Sequence, residues 1–187
     1  RWQGHYLLNP WTDEGRLVDL GDYTRLVAQL NRPGSTLRGR HVARKNPNAW
    51  YRTIDKVDHS LTTRPKLLLQ DMKAHIHPVL DPGGYYPHHN LYYIVSEQWD
   101  LEVLGGLLLS RIAEQYIAAY CVKMRGGTLR FQAQYLKRLP VPHPSDIHPQ
   151  LAEELRVAFR NRDVDAATRA ASVAYRLEVP RDHRKSA

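Results

Sequence analysis

The sequence predicts an α/β (α+β) fold, in which a mixed, curved sheet is flanked by helices. Three segments carry this prediction. The apolar run within Lys66 to Gln70 is typical of a short buried strand, and Leu91 to Val95 has the aromatic and β-branched residues of a second strand. Leu101 to about Lys123 repeats apolar residues at helical spacing, so we expect one long helix against the sheet.

The remaining elements follow from the same patterns. Leu17 to Asn31 has a helical period, whereas residues 35–64 hold many cations and few aliphatic side chains and are expected to be extended and irregular. Ile76 to Leu80 predicts a further strand. Apolar and polar residues alternate from Thr128 to Tyr135, which predicts a half-exposed strand with Arg130, Gln132 and Gln134 on its polar face.

The composition changes after Asp146, where two helical patterns are followed by a polar end. We therefore expect a domain over residues 1–145 and a small helical appendage with a polar tail over residues 146–187. The chain begins at Arg1 without Met, which suggests a piece of a longer protein.

Charge indicates the kind of partner. Lys and Arg number 27 against 19 Asp and Glu, which gives a net charge of +8 and favours a polyanion. No apolar run reaches the roughly 18 residues of a membrane span, so no membrane partner is expected. A single cysteine, Cys121, fits a reducing compartment, and we expect a cytoplasmic protein.

Two basic regions carry residues suited to DNA, because cations hold phosphates while Asn, Gln and Arg can pair with base edges. The predicted phosphate or base contacts are Arg38, Arg40, Arg44, Lys45, Arg125 and Arg130. The candidate base readers are Asn46, His88, His89, Gln132 and Gln134. Further expected contacts are Trp50, Tyr51, Arg52, Lys73 and Thr128. For Trp50 and Tyr51, burial beneath a long loop is an equal alternative to ligand contact.

Catalytic and metal-binding patterns are weak in this sequence. It has no phosphate-cradling glycine loop, no dinucleotide fingerprint before a helix and no nucleophile elbow, so we expect no catalytic residue. Four histidines fall within a short stretch, but they lack the Cys partners and the helical spacing of zinc sites, and we expect no metal: His75, His77, His88 and His89. Asp71-Met72-Lys73 resembles half of a metal-dependent nuclease centre, which would need a second acid such as Asp55 or Asp58.

Several short motifs together resemble a known family. They are His88-His89-Asn90-Leu91-Tyr92-Tyr93-Ile94, Val103 to Ser110, Gly126-Gly127-Thr128-Leu129-Arg130-Phe131, and Tyr135-Leu136-Lys137-Arg138-Leu139-Pro140-Val141-Pro142. In this order they are similar to the C-terminal specificity domain, or target-recognition domain, of Taq-type and related N6-adenine DNA methyltransferases. The resemblance spans residues 17–143. One departure is Leu109-Ser110, where many members have Asn-Ser.

The resemblance implies a domain that recognises double-stranded DNA for a bacterial methyltransferase of restriction–modification or phage defence. In such enzymes a separate N-terminal domain binds S-adenosylmethionine and carries an Asn/Asp-Pro-Pro-Tyr/Phe motif. The nearest strings here, Asn9-Pro10-Trp11 and Asn46-Pro47-Asn48, do not match it. We therefore expect no cofactor in this chain, and expect S-adenosylmethionine and methyl transfer to adenine in an upstream domain. Two alternatives stay open: a metal-dependent nuclease domain, and a basic module that binds another protein.

Overall fold

The structure is a computed structural model that describes residues 4, 8–32, 34–123 and 129–177. The chain forms two compact units, Arg1–Thr62 and Thr63–Ala187. Both α-helices and β-strands are present, which confirms the predicted α/β class, and every strand pairing in the described residues is antiparallel.

The first unit consists of short helices. Its α-helices are α1 (Thr24–Asn31), α2 (Gly34–Arg38) and α3 (His41–Lys45), and 3-10 turns form at Leu20–Asp22, Pro47–Ala49 and His59–Thr62. The prediction that residues 35–64 are extended was therefore wrong. These helices are not evident in the apolar pattern because their buried residues are small or aromatic, namely Ala43, Ala49 and Trp50. Leu61 is the one larger aliphatic residue that is buried in the described part of that stretch.

The second unit is built on a three-stranded sheet. Its strands are β1 (Lys66–Gln70), β3 (Val79–Asp81) and β4 (Leu91–Ile94), in the order β3-β1-β4. The register pairs Lys66 with Asp81 on one side of β1 and Gln70 with Leu91 on the other. The strand expected at Ile76 to Leu80 starts later, at Val79.

A smaller sheet contains β2 (Met72–Lys73), β5 (Val122–Lys123) and β6 (Leu129–Arg130), in the order β2-β6-β5. The strand predicted from Thr128 to Tyr135 was wrong beyond Arg130. The backbone N–H of Gln132 donates to the carbonyl of Arg130 at 2.9 Å, which turns the chain into a short helix, α6 (Ala133–Leu136). Helical geometry lets Tyr135 and Leu136 both pack against the main core.

The helix predicted over Leu101 to Lys123 is two helices, α4 (Leu101–Leu109) and α5 (Arg111–Tyr120). Ser110 separates them with extended backbone angles of φ −67° and ψ 151°. Its hydroxyl donates to the carbonyl of Leu107 at 2.6 Å and accepts from the N–H of Ala113 at 3.3 Å. A serine in this position is a helix N-cap, so the break is encoded locally although the apolar period runs through it.

Two further helices, α7 (Pro149–Asn161) and α8 (Val164–Ala174), pack against α4. Gly105 and Gly106 make this contact close. A Cβ added to Gly105 would lie 2.6 Å from Phe159, and one added to Gly106 would lie 2.5 Å from the carbonyl oxygen of Leu155. Both helices belong to the second unit. The division into a DNA-recognition domain over residues 1–145 and a helical appendage with a polar tail over residues 146–187 stays a prediction.

The main core of the second unit lies between the strands and α4 and α5. Its fully buried members include Leu67, Ile117 and Ala113, and Phe159 extends the core to α7. Within the described residues, no helix has both the length and the apolar character needed to cross a bilayer. Within this core β1 packs against α4.

Candidate nucleic-acid interface

Arg40 organises the loops of the first unit. Its Nη2 donates to the carbonyls of Trp50 at 3.0 Å and Arg52 at 3.1 Å, and its Nε donates to the carbonyl of Leu37 at 3.2 Å. A planar guanidinium can bind several acceptors at once, and here it ties α2 to the segment after α3. Arg40 was predicted as a DNA contact. That role stays a prediction, and the geometry gives this side chain an internal one.

The aromatic pair of the first unit is largely internal. Trp50 is only 7% exposed, and the guanidinium of Arg38 lies 3.9 Å from the centre of its ring, a cation–π distance. The hydroxyl of Tyr51 donates to the carbonyl of Val18 at 2.6 Å. Of the two alternatives left open for these aromatics, the geometry favours the small core beneath a loop.

Two of the exposed cations of this unit lie at the end of α3. Arg44 and Lys45 occupy the last turn, and Asn46 follows as its C-cap. All three side chains are exposed. Arg52 is half-buried, with its guanidinium 5.5 Å from the ring centre of Trp11. Arg44, Lys45 and Asn46 are therefore predicted contacts of this unit that a ligand can reach.

Asp71 joins the two sheets of the second unit. Its backbone N–H donates to the carbonyl of Asn90 at 3.0 Å, and its carbonyl accepts from the N–H of Phe131 at 2.7 Å. Its carboxylate lies 3.4 Å from Nε of Arg130 and 3.5 Å from the hydroxyl of Tyr92. This arrangement fixes Arg130 beside the β1–β2 junction while leaving 44% of its side chain exposed.

The predicted readers His88 and His89 precede β4 and are followed directly by Asn90, whose carbonyl accepts from Asp71 at the junction. Both are exposed, and their ring centres are 4.1 Å apart. The carbonyl of His88 accepts from the N–H of Leu91 at 2.8 Å, so a turn presents the pair just ahead of Asn90. Lys73, in β2 and paired in register with Leu129, is also exposed.

The two glutamines do not share a strand face with Arg130. Gln132 precedes α6 and Gln134 lies within it, and Nε2 of Gln134 donates to Oε1 of Gln132 at 3.1 Å. Both remain close to Arg130 in the chain, so their predicted role stays open to test. Arg125 and Thr128 lie outside the described residues.

The metal-dependent alternative finds no support. In the part of the chain that the structure describes, no three His, Cys, Asp or Glu side chains are grouped closely enough to hold a metal ion. His75 instead contacts the carboxylate of Glu114 at 3.0 Å. Burial, with the nearby charges of Arg162 and Lys73, holds the pKa of His77 below its usual value. Asp71 is likewise engaged by Arg130 and Tyr92.

The organising role of Asp71 and the contributions of Tyr92 and Asn90 were not predicted from the sequence, in which Asp71 suggested only a metal ligand. A signal was present in the sequence, because Gln70 and Asp71 end the apolar run Leu67-Leu68-Leu69 and mark the point where the chain leaves the core. The partners of that charge are distant in the chain, so only the fold could supply them.

The second unit is an α+β unit whose sheet junction presents Arg130 and exposed polar side chains, an arrangement suited to binding a ligand. A comparison with protein families shows the class to which the chain belongs. Residues 23–141 match the TaqI-like C-terminal specificity domain, and the chain belongs to this family.

Three relatives extend the likeness beyond that region. The chain is 46% identical over 177 residues to type II methyltransferase M.PaeR7I of Pseudomonas aeruginosa, covering 95% of this chain and 31% of that protein. It is 44% identical over 182 residues to type II methyltransferase M.XhoI of Xanthomonas vasicola, covering 97% and 33%. It is 42% identical over 154 residues to type II methyltransferase M.BstVI of Geobacillus stearothermophilus, covering 82% and 28%.

The chain spans about a third of the length of the curated relatives it matches. The first two alignments cover nearly the whole chain, so they continue past residue 141 into α7 and α8. The helices after the family's matched region are thus shared with these methyltransferases, in agreement with their close packing on α4.

Proposed function

We propose that this chain recognises a specific double-stranded DNA sequence on behalf of an N6-adenine DNA methyltransferase of a restriction–modification system. The observation that carries the proposal is membership in the TaqI-like C-terminal specificity family, together with the likeness to type II methyltransferases. The exposed cations of α3 and the oriented Arg130 supply the chemistry that such a role needs.

The two groups of residues fit different parts of DNA recognition. Arg44 and Lys45 are exposed on a short helix without a carboxylate partner among their described contacts, which suits sequence-independent contact with phosphates. Arg130 is held by Asp71 and has two glutamines near it in the chain, which suits contact with base edges. His88, His89 and Lys73 would add contacts from the same unit.

Methyl transfer belongs, in this proposal, to another domain of the parent protein. The sequence has no Asn/Asp-Pro-Pro-Tyr/Phe string to hold an adenine, and it has no glycine-rich cofactor loop. S-adenosylmethionine would supply the methyl group there, and this chain would choose the site and hold the duplex. The organisms of the relatives are bacteria, and a bacterial DNA methyltransferase works in the cytoplasm where the chromosome lies.

Binding of the isolated chain to DNA tests the first half of the proposal. A fluorescein-labelled duplex of mixed sequence should bind at low salt, and the logarithm of the association constant should fall linearly with the logarithm of salt concentration. A protein-interaction module with an incidental basic surface predicts no such slope. The absence of binding at low salt would reject the proposal.

The second half is tested by a graft. The matched third of M.PaeR7I is replaced by this chain, and genomic DNA from cells that express the hybrid is mapped for N6-methyladenine. We expect methylation at one short sequence, and the same sequence should bind the isolated chain in preference to others. A hybrid that methylates a sequence other than the one the isolated chain prefers would contradict a specificity role.

A further inference from the structure

The connection from β3 to β4, residues 82–90, crosses the sheet. Because β3 and β4 flank β1 on opposite sides, and Asp81 pairs with Lys66 while Leu91 pairs with Gln70, this segment runs from one end of β1 to the other. Tyr85 lies near its start and is 74% exposed, more than any other Tyr, Trp or Phe in the described residues. An exposed ring of this size favours ligand binding, because removing its apolar surface from water on binding is favourable.

The backbone that presents Tyr85 is tightly held. Gly83 and Gly84 have φ angles of 116° and 138°, a region that residues with a Cβ rarely adopt. Oδ1 of Asp81 accepts from the N–H of Gly83 at 3.0 Å, and the carboxylate also accepts from the backbone N–H of Tyr85. At Gly83 a Cβ would lie 2.5 Å from the carbonyl oxygen of Thr63, so the turn also fits closely against the preceding loop.

A buried ion pair fixes Asp81 itself. Nζ of Lys66 lies 2.6 Å from Oδ2 of Asp81, and the two side chains are 0% and 2% exposed. Nζ also donates to the carbonyl of Arg64 at 3.0 Å. A buried ion pair is a weak source of net stability because desolvation offsets the attraction. This pair has a second consequence, since the anchored carboxylate shapes the turn that carries Tyr85.

We propose that Tyr85 is a DNA contact whose ring packs against exposed bases or sugars, and that the Lys66–Asp81 pair positions it. The inference rests on the proposed function and adds to it a residue outside the basic regions. Tyrosine offers a large contact area with few rotatable bonds, so an anchored ring loses little entropy on binding. His88 and His89, predicted readers, lie in the same connection, which makes the whole segment a contact surface.

The test compares variants of the chain on one fluorescein-labelled duplex of mixed sequence. Tyr85→Ala should weaken binding about tenfold, a loss typical of truncating an aromatic side chain that is buried at an interface. The slope of affinity against salt should not change, because no cation is lost. Tyr85→Phe should bind like the wild type if the ring carries the contact. Tyr120→Ala, which removes an exposed tyrosine of α5, is the matched control and should bind normally.

Positioning is tested by Lys66→Met with Asp81→Leu, which replaces the pair with apolar residues of similar size. This double variant should lose about as much affinity as Tyr85→Ala, and adding Tyr85→Ala to it should cause little further loss. Circular dichroism checks that each variant folds. Should the double variant fail to fold, Gly83→Ala displaces the turn while keeping the ion pair, and the same loss is expected.

The outcomes separate this inference from the function on which it rests. If the wild type does not bind duplex DNA, the proposed function fails and the inference fails with it. If the wild type binds and Tyr85→Ala binds equally well, Tyr85 is not a contact although DNA recognition stands. If Tyr85→Ala weakens binding while the folded double variant and Gly83→Ala bind normally, the positioning role is overturned.

Discussion

Nε of Arg130 lies 3.4 Å from Oδ2 of Asp71. The backbone of Asp71 also links the two sheets of the second unit through its hydrogen bonds. The carboxylate is 17% exposed and the arginine 44%, so the pair is open to solvent on the arginine side. A guanidinium that donates through Nε to a carboxylate still has its other N–H groups available to a ligand. The fold therefore orients the side chain that the proposed function needs for reading DNA.

Replacement of Arg130 tests this orientation. Arg130→Ala should weaken binding to the preferred duplex by about 1–3 kcal/mol and relax preference at one base position. Arg130→Lys should not restore that preference, because lysine lacks the planar fork that pairs with a base edge. Arg169→Ala, at an exposed arginine of α8, serves as the control for lost charge. Equal losses of affinity in Arg130→Ala and Arg169→Ala would contradict a role for Arg130 in reading base edges.

The exposed cations of α3 should act through charge alone. Arg44→Ala with Lys45→Ala should weaken binding to all duplexes alike and lower the salt slope by about 2, one for each phosphate contact. Sequence preference should be unchanged. A salt titration of the double variant against the wild type measures this, and an unaltered slope would place the contacts elsewhere.

Arg40 should matter for stability more than for salt dependence. Arg40→Ala removes hydrogen bonds to the carbonyls of Leu37, Trp50 and Arg52, and it should lower the free energy of unfolding of the first unit by about 2 kcal/mol. Urea unfolding followed by tryptophan fluorescence measures this, since Trp50 lies in the same loop. Arg44→Ala is the matched control and should unfold like the wild type.

The close contact of α4 with α7 should tolerate no added methyl group. Gly106→Ala should destabilise the protein by about 1–3 kcal/mol, because its Cβ would meet the backbone of Leu155 at 2.5 Å. This loss would occur although alanine favours a helix over glycine by about 1 kcal/mol. The Tm of Gly106→Ala in thermal unfolding is compared with that of Ala119→Gly, on the exposed side of α5. A rise in Tm for Gly106→Ala would show that α7 does not pack there.

Asp81 should make stability depend on acid pH. Burial alone would raise the pKa of this carboxyl, but hydrogen bonds from Lys66 and Gly83 outweigh it and hold the pKa below its ordinary value of 3.8. As the pH falls below about 4, the unfolded state takes up the proton first, so the folded state loses stability. Urea unfolding from pH 7 to pH 3 should show a smaller decline in the Lys66→Met, Asp81→Leu variant. Equal declines would mean that Asp81 titrates alike in both states.

Local patterns predicted much of the fold. The apolar run Leu67-Leu68-Leu69 and the aromatic run before Ile94 formed β1 and β4, because buried strands need such side chains regardless of what surrounds them. The prediction of one long helix was wrong at Ser110, whose buried hydroxyl caps the start of α5. The apolar period continues through this position and gave no sign of the break. Capping chemistry prevailed there over periodicity.

The candidate site was less predictable, since its arrangement depends on distant residues. The sequence marked Arg130 as a cation and Asp71 as an acid, but their pairing follows from the register of β2 with β6. Arg40 and Tyr51 looked like ligand contacts because charge and aromaticity do not reveal direction, and both point to backbone carbonyls. The distinction between a side chain that binds DNA and one that closes a loop requires the fold.

The central claim is sequence-specific recognition, and selection from a random duplex library by the isolated chain tests it most directly. We predict that repeated rounds at physiological salt enrich one short sequence, and that this duplex binds at least about a thousandfold more tightly than the starting library. In Arg130→Ala the selected sequences should lose preference at one base position while the other positions stay enriched. Binding without enrichment of any sequence would contradict the account.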